Sequence, residues 1–127
     1  MNQPTSSQPD SDPATNDSAW TVFQLGDLLP RTEGSEPCFL EFLRRPGLSA
    51  AVYHLPAGAR DMQAPHLEDE IYYVIRGKAR LRIGDEDKEV GPGAILYVRA
   101  TEDHSFFVIS EDLALLAFFG RADLSTG

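Results

Sequence analysis

The chain has little of what staples, inserts or exports a protein. Cys38 is the single cysteine in 127 residues, which excludes an intrachain disulfide framework. No apolar run approaches the length that spans a bilayer, so no transmembrane helix is expected. The first residues lack the basic and apolar regions of a secretory signal. With the lone thiol, this gives a cytoplasmic protein as the expectation. Positive charge is scarce: 11 Lys and Arg stand against 20 Asp and Glu, a formal net charge of −9. Such a surface repels nucleic acid and anionic membranes, so neither is an expected partner. Histidine is scarcer still, with three in the chain, and that rarity makes each position informative. No long stretch carries apolar residues at helical spacing.

Apolar residues make up 42% of the chain, enough at this length for the core of one domain. Residues Met1–Ser18 hold Pro4, Pro9 and Pro13 among Ser, Thr, Asn, Gln and Asp, with no large apolar residue after Met1 until Trp20. A segment like this cannot bury enough surface to offset its ordering entropy. The expectation is a disordered tail over 1–18 and a single folded domain over 19–127. Within that domain Trp20–Phe23 reads as a strand, and Asp27–Leu29 as one helical turn ended by Pro30. Further strands are expected at Cys38–Leu43, Ser49–Leu55, Ile71–Ile75, Ala79–Ile83, Lys88–Val90, Ile95–Val98, His104–Ile109 and Leu113–Phe119. Gly, Pro and acidic turns separate them. Ala79, Leu81 and Ile83 alternate with Lys78, Arg80 and Arg82, the pattern of a half-buried strand. Many short strands at regular spacing make an all-β sandwich or barrel.

The stretch Gly58–Gly77 concentrates the chemistry. Three residues separate His66 from Glu70, so on a strand both side chains point to one face. His104 begins a similar strand, and a neighbouring strand brings it alongside. Two imidazoles and a carboxylate suit Fe, Mn, Zn, Ni or Co as one divalent ion, with coordination positions left open for water, substrate or dioxygen. Gln63 has a ligand-capable oxygen but the opposite parity, unless Pro65 bends the chain and re-aims it. A carboxylate entering an apolar strand needs a partner; for Glu70 the choices are a metal, Arg99 or Arg76. Tyr72, Val74, Phe106 and Val108 share parity with the nearest ligands. They either line a pocket for an apolar or aromatic small molecule or are ordinary core. Arg99 has two readings: inward it clamps a substrate carboxylate, outward it is solvated at the rim. His54 reads as a plain strand residue.

These positions resemble the two motifs of the cupin superfamily across roughly Ser49–Phe119. Gly58, His66, Glu70 and Gly77 fall on the first motif, and Gly93 and His104 on the second. The departures are Ala64, where the motif has its first histidine, and Arg99, Thr101 and Val108, where it has proline, glycine and asparagine. The resemblance implies a jelly-roll β-barrel with a metal in its mouth. It also implies a homodimer and a metal-dependent activity on a small organic molecule, most often dioxygenase-like. Two other functions are compatible. One is a metal-dependent isomerase or lyase with Tyr72 or a histidine as acid/base. The other is a small-ligand-binding module without chemistry.

Overall fold

Two long strands carry the architecture. The computed structural model describes residues 18–61 and 67–121. In it β1 (Cys38–Arg45) and β2 (Leu48–Leu55) form a hairpin, and β3 spans Glu68–Ile83. The shorter β4 (Glu86–Val90) and β5 (Ile95–Val98) follow, and β6 (His104–Arg121) closes the order. The sheet runs β1-β2-β6-β3-β4, with β5 also paired to β3, and every pairing is antiparallel.

The sequence breaks β3 at Gly77 and β6 after Ile109; the structure carries both strands through. They do so by bulging. Lys78 pairs with Glu111 and Arg80 with Phe107, so two steps along β3 match four along β6. Extra residues in one strand sharpen its bend. Gly77 sits where the crossing is tightest. Its φ is +96°, and a Cβ there would lie 2.1 Å from the Asp112 carbonyl oxygen and 2.6 Å from Leu113 Cα. Only a residue without a side chain lets the two backbones pass.

The bend closes the barrel. Glu70 pairs with Phe119 and Ile83 with His104, at opposite ends of the β3–β6 ladder. A flat ladder would hold Glu70 and His104 about 40 Å apart at 3.3 Å per residue. They are instead in contact, His104 Nε2 lying 3.4 Å from Glu70 Oε2. The strands therefore curl back so that their two ends face each other across the interior. Tyr53, Leu55, Tyr72, Val74, Leu81, Phe106, Leu113 and Leu115 fill that interior. This is the all-β barrel that the strand spacing leads to, and the jelly roll that the family resemblance implies.

The N-terminal elements differ from expectation. Trp20–Phe23 is irregular, with Trp20 and Val22 exposed, because no strand edge receives it. Helix α1 spans Leu25–Leu28, and Pro30 does not end the helical path. Pro30 opens a 3₁₀ turn over Leu29–Thr32, where its missing N–H costs nothing. Leu28 packs against Leu40 and Val52, so this short helix lies on the outer face of β1 and β2. No helix among the described residues is long and apolar enough to cross a membrane.

Candidate functional site

Three buried polar side chains meet inside the barrel. β3 alternates, so Glu70, Tyr72 and Val74 point inward while Ile71 and Tyr73 point out. β6 delivers His104 and Phe106 in the same way. Glu70 and Tyr72 are 1% and 0% exposed and His104 is 4%. The Tyr72 hydroxyl donates to Glu70 Oε1 at 2.5 Å and lies 3.1 Å from His104 Nε2. Phe106 stacks edge-on against the Tyr72 ring, with centroids 5.3 Å apart.

Proton positions follow from the partners. His104 Nδ1 is 2.9 Å from the Glu102 carbonyl, which only accepts, so Nδ1 carries a proton. Nε2 therefore points inward at Tyr72 and Glu70. The single hydroxyl proton of Tyr72 goes to Glu70. Nε2 then contributes a proton of its own to reach the Tyr72 oxygen and Glu70 Oε2. The electrostatics agree. Burial works against charging His104, but the Glu70 carboxylate and the Glu102 carbonyl outweigh it and lift the ring above the ordinary histidine range. Burial, and then the bond to Glu70, push the Tyr72 phenol far above the ordinary tyrosine value, so it stays protonated.

Asp61 is a site residue that the sequence does not reveal. Its Oδ1 accepts from the Tyr53 hydroxyl at 2.7 Å and its Oδ2 from the Phe106 N–H at 3.0 Å. It ties the chain just before residue 62 to the strand that carries His104. Burial first, and then Asp61, raise the Tyr53 phenol as well. An aspartate beside a loop gives no periodic signal, because its two partners come from different strands.

The structure brings Glu70, His104, Tyr72, Val74 and Phe106 together. His66, Gln63 and Ala64 lie outside the described residues. Arg99 takes the outward of its two readings and does not line the pocket: its side chain is 75% exposed and pairs with Glu102, because it leaves β5 on the outward parity of Tyr97. Arg76 pairs with Glu33 on the surface, so neither arginine partners Glu70. Val108 is corrected too: it is exposed, because the bulge in β6 flips parity after Phe107. His54 is buried, with Nε2 3.2 Å from the Gly34 carbonyl.

Among the described residues no three His, Cys, Asp or Glu side chains converge, but two do. Glu70 Oε2 and His104 Nε2 are 3.4 Å apart, the spacing of two donors each about 2.1 Å from one ion at a tetrahedral angle. Nδ1 is already committed to Glu102, which fixes the ring so that Nε2 faces the interior. Once Nε2 gives up its proton, the two groups fit a divalent ion, which needs further ligands.

The family model described as "Cupin domain" matches residues 51–119. The chain is a cupin. An uncharacterized protein of Streptomyces coelicolor is 39% identical over 98 residues, covering 77% of this cupin and 93% of the relative. Among solved structures, a DMSP lyase from Ruegeria pomeroyi is similar at TM-score 0.62 and 22% identity, over 72% of this chain and 50% of that one. A putative mannose-6-phosphate isomerase from Ralstonia eutropha is similar at TM-score 0.62 and 22% identity, over 70% and 88%. At that identity the two structures share the fold with this cupin.

Proposed function

We propose that this cupin holds one divalent metal ion through Glu70 and His104, with His66 as the third ligand, and acts on a small organic molecule by proton transfer at Tyr72. The observation that carries this reading is the Tyr72 hydroxyl set between the Glu70 carboxylate and the His104 imidazole. With Nε2 given to the ion, the phenol bonded to Glu70 beside it is a positioned proton donor, the equipment of general acid–base catalysis. Activating dioxygen at a metal does not require one, so isomerase or lyase chemistry stands ahead of the dioxygenase-like reaction that the family resemblance implies. When bound, the ion polarises an oxygen of the substrate. Glu70 accepts the Tyr72 proton, His104 is held in one tautomer by Glu102, and Val74 and Phe106 keep water from the phenol. A lyase and a putative isomerase are built on the same fold.

The test begins with elemental mass spectrometry of tag-free protein beside the His66→Ala/His104→Ala variant. A near-stoichiometric ion lost in the variant supports the site. The Zn(II)- and Fe(II)-loaded proteins are then given a panel of small organic acids, sugars and phenols. Turnover with redox-inert Zn(II), reduced about a hundredfold or more in Tyr72→Phe, is the expected result. Turnover with Fe(II) alone, consuming dioxygen and indifferent to Tyr72→Phe, favours the dioxygenase. Stabilisation by a panel member without turnover makes the protein a binding module.

A further inference from the structure

A groove of about 370 Å³ lies where the β1–β2 hairpin meets the start of β3 and the end of β6. Three of the chain's 11 Lys and Arg line it, Arg44, Arg45 and Arg121, together with Ser49, Glu68 and Phe119. Register ties this groove to the buried site. Arg44 lies opposite Ser49, Ser49 opposite Phe119, and Phe119 opposite Glu70, one row across four strands. One step further along, Arg121 lies opposite Glu68, which is two residues before Glu70 and so shares its face. Phe119 packs in the core and also lines the groove, so the groove meets the end of the barrel that holds Glu70.

We propose that this groove binds the anionic group, carboxylate or phosphate, of the molecule that reaches Glu70 and Tyr72, so that the substrate is an organic acid or a phosphate ester. Charge is the first argument. The chain carries −9, yet the groove sets three arginines against Glu68 alone, a local reversal of sign that draws anions to this place. Glu41 offsets part of it by accepting from Arg44 at 2.5 Å, which uses one of the five N–H groups of that guanidinium. Placement is the second argument. The Arg121 N–H donates to the Gly47 carbonyl at 3.0 Å. Its Nε lies 3.9 Å from where a Gly47 Cβ would stand, so the side chain is drawn to the turn that follows Arg45. Among the described residues no carboxylate pairs with Arg121, although Glu68 stands opposite it. A guanidinium takes two oxygens of a carboxylate or phosphate through its planar fork, and Ser49 adds a hydroxyl. Reach is the third. Arg121 and Glu70 are about 8 Å apart between α-carbons across the ladder, a span that a small dicarboxylate or sugar phosphate bridges. Anion binding stands by itself; only the chemistry that follows it rests on the acid–base reading above.

Calorimetric titration of the full chain with succinate and with inorganic phosphate, at constant ionic strength, tests the groove. Succinamide, the uncharged counterpart of succinate, is the control. The expected result is that at least one anion binds and succinamide does not; succinate alone marks an organic-acid substrate, phosphate alone a phosphate ester. Arg44→Gln and Arg121→Gln should each weaken binding about tenfold or more. Arg99→Gln removes the same charge at a solvated position and should bind like wild type. The His66→Ala/His104→Ala variant should also keep the anion, which separates the groove from coordination to a metal. In the wild type the amide signals of Ser49, Phe119 and Arg121 should shift with the bound anion in NMR spectra, a readout that needs no variant. Anion binding at these residues without turnover supports the groove and sinks the chemistry. Turnover of uncharged molecules that neither arginine variant changes supports the chemistry and overturns the groove. Failure of both anions to bind, or binding that Arg44→Gln and Arg121→Gln leave unchanged, also overturns it.

Discussion

Thr101 and Val108 hold backbone angles that β-branched residues rarely adopt, with φ of +65° and +46°. These are the positions where the cupin motif has glycine and asparagine, the two residues most at ease there. The departure is thus in the side chain; the left-handed backbone is kept. Each such residue stores about 1–3 kcal/mol of strain. Thr101→Gly and Val108→Asn should therefore each raise stability by about 1 kcal/mol, read as a higher urea midpoint at unchanged slope. His104 makes a second residue-scale prediction, for the metal-free protein. Its folded pKa lies above the unfolded value of about 6.5, because Glu70 and Glu102 outweigh burial. Its stabilisation is then full below that unfolded value and fades as pH rises through the folded one. The stability gap between wild type and His104→Gln should narrow on going from acid to alkaline pH, as urea titrations at several pH values would show.

At the scale of elements, the decisive feature is the bend shared by β3 and β6. Gly77 permits it, since any Cβ would run into the Asp112–Leu113 backbone. Gly77→Ala should cost more than about 4 kcal/mol, the range kept for severe backbone conflict, and thermal scans should show a large fall in midpoint or no cooperative transition. The sequence marks Gly77 as a break, and in one sense it is one. Pattern reading sees the change of phase, but whether a strand ends or bulges there depends on the partner strand. The same is true of β6, where Glu111 and Asp112 look like a turn and are bulge residues. The α-helical turn does end just before Pro30, but the chain continues in a 3₁₀ segment, which tolerates proline in its first turn.

At the scale of the whole molecule, charge dominates. A chain at −9 repels itself, and the repulsion falls as salt screens it. The thermal midpoint should rise between low and physiological ionic strength, which scanning fluorimetry over a salt series would measure. A midpoint that falls instead would mean that attractive pairs such as Arg80–Asp87, at 2.6 Å, outweigh the net repulsion.

The sequence alone was enough for the strand content, the family's motif glycines and the inward parity of Glu70 and His104, because parity and rare residue types are local properties. It left Arg99 with two readings and placed Val108 on the wrong face, because one bulge inverts every side chain beyond it. It had no means of finding Asp61, whose partners lie on two other strands. The tertiary structure alone decided that Glu70 and His104 meet, since about 40 Å of ladder separates them until the barrel closes. Closure depends on the long-range register between β3 and β6, which no window of the sequence contains.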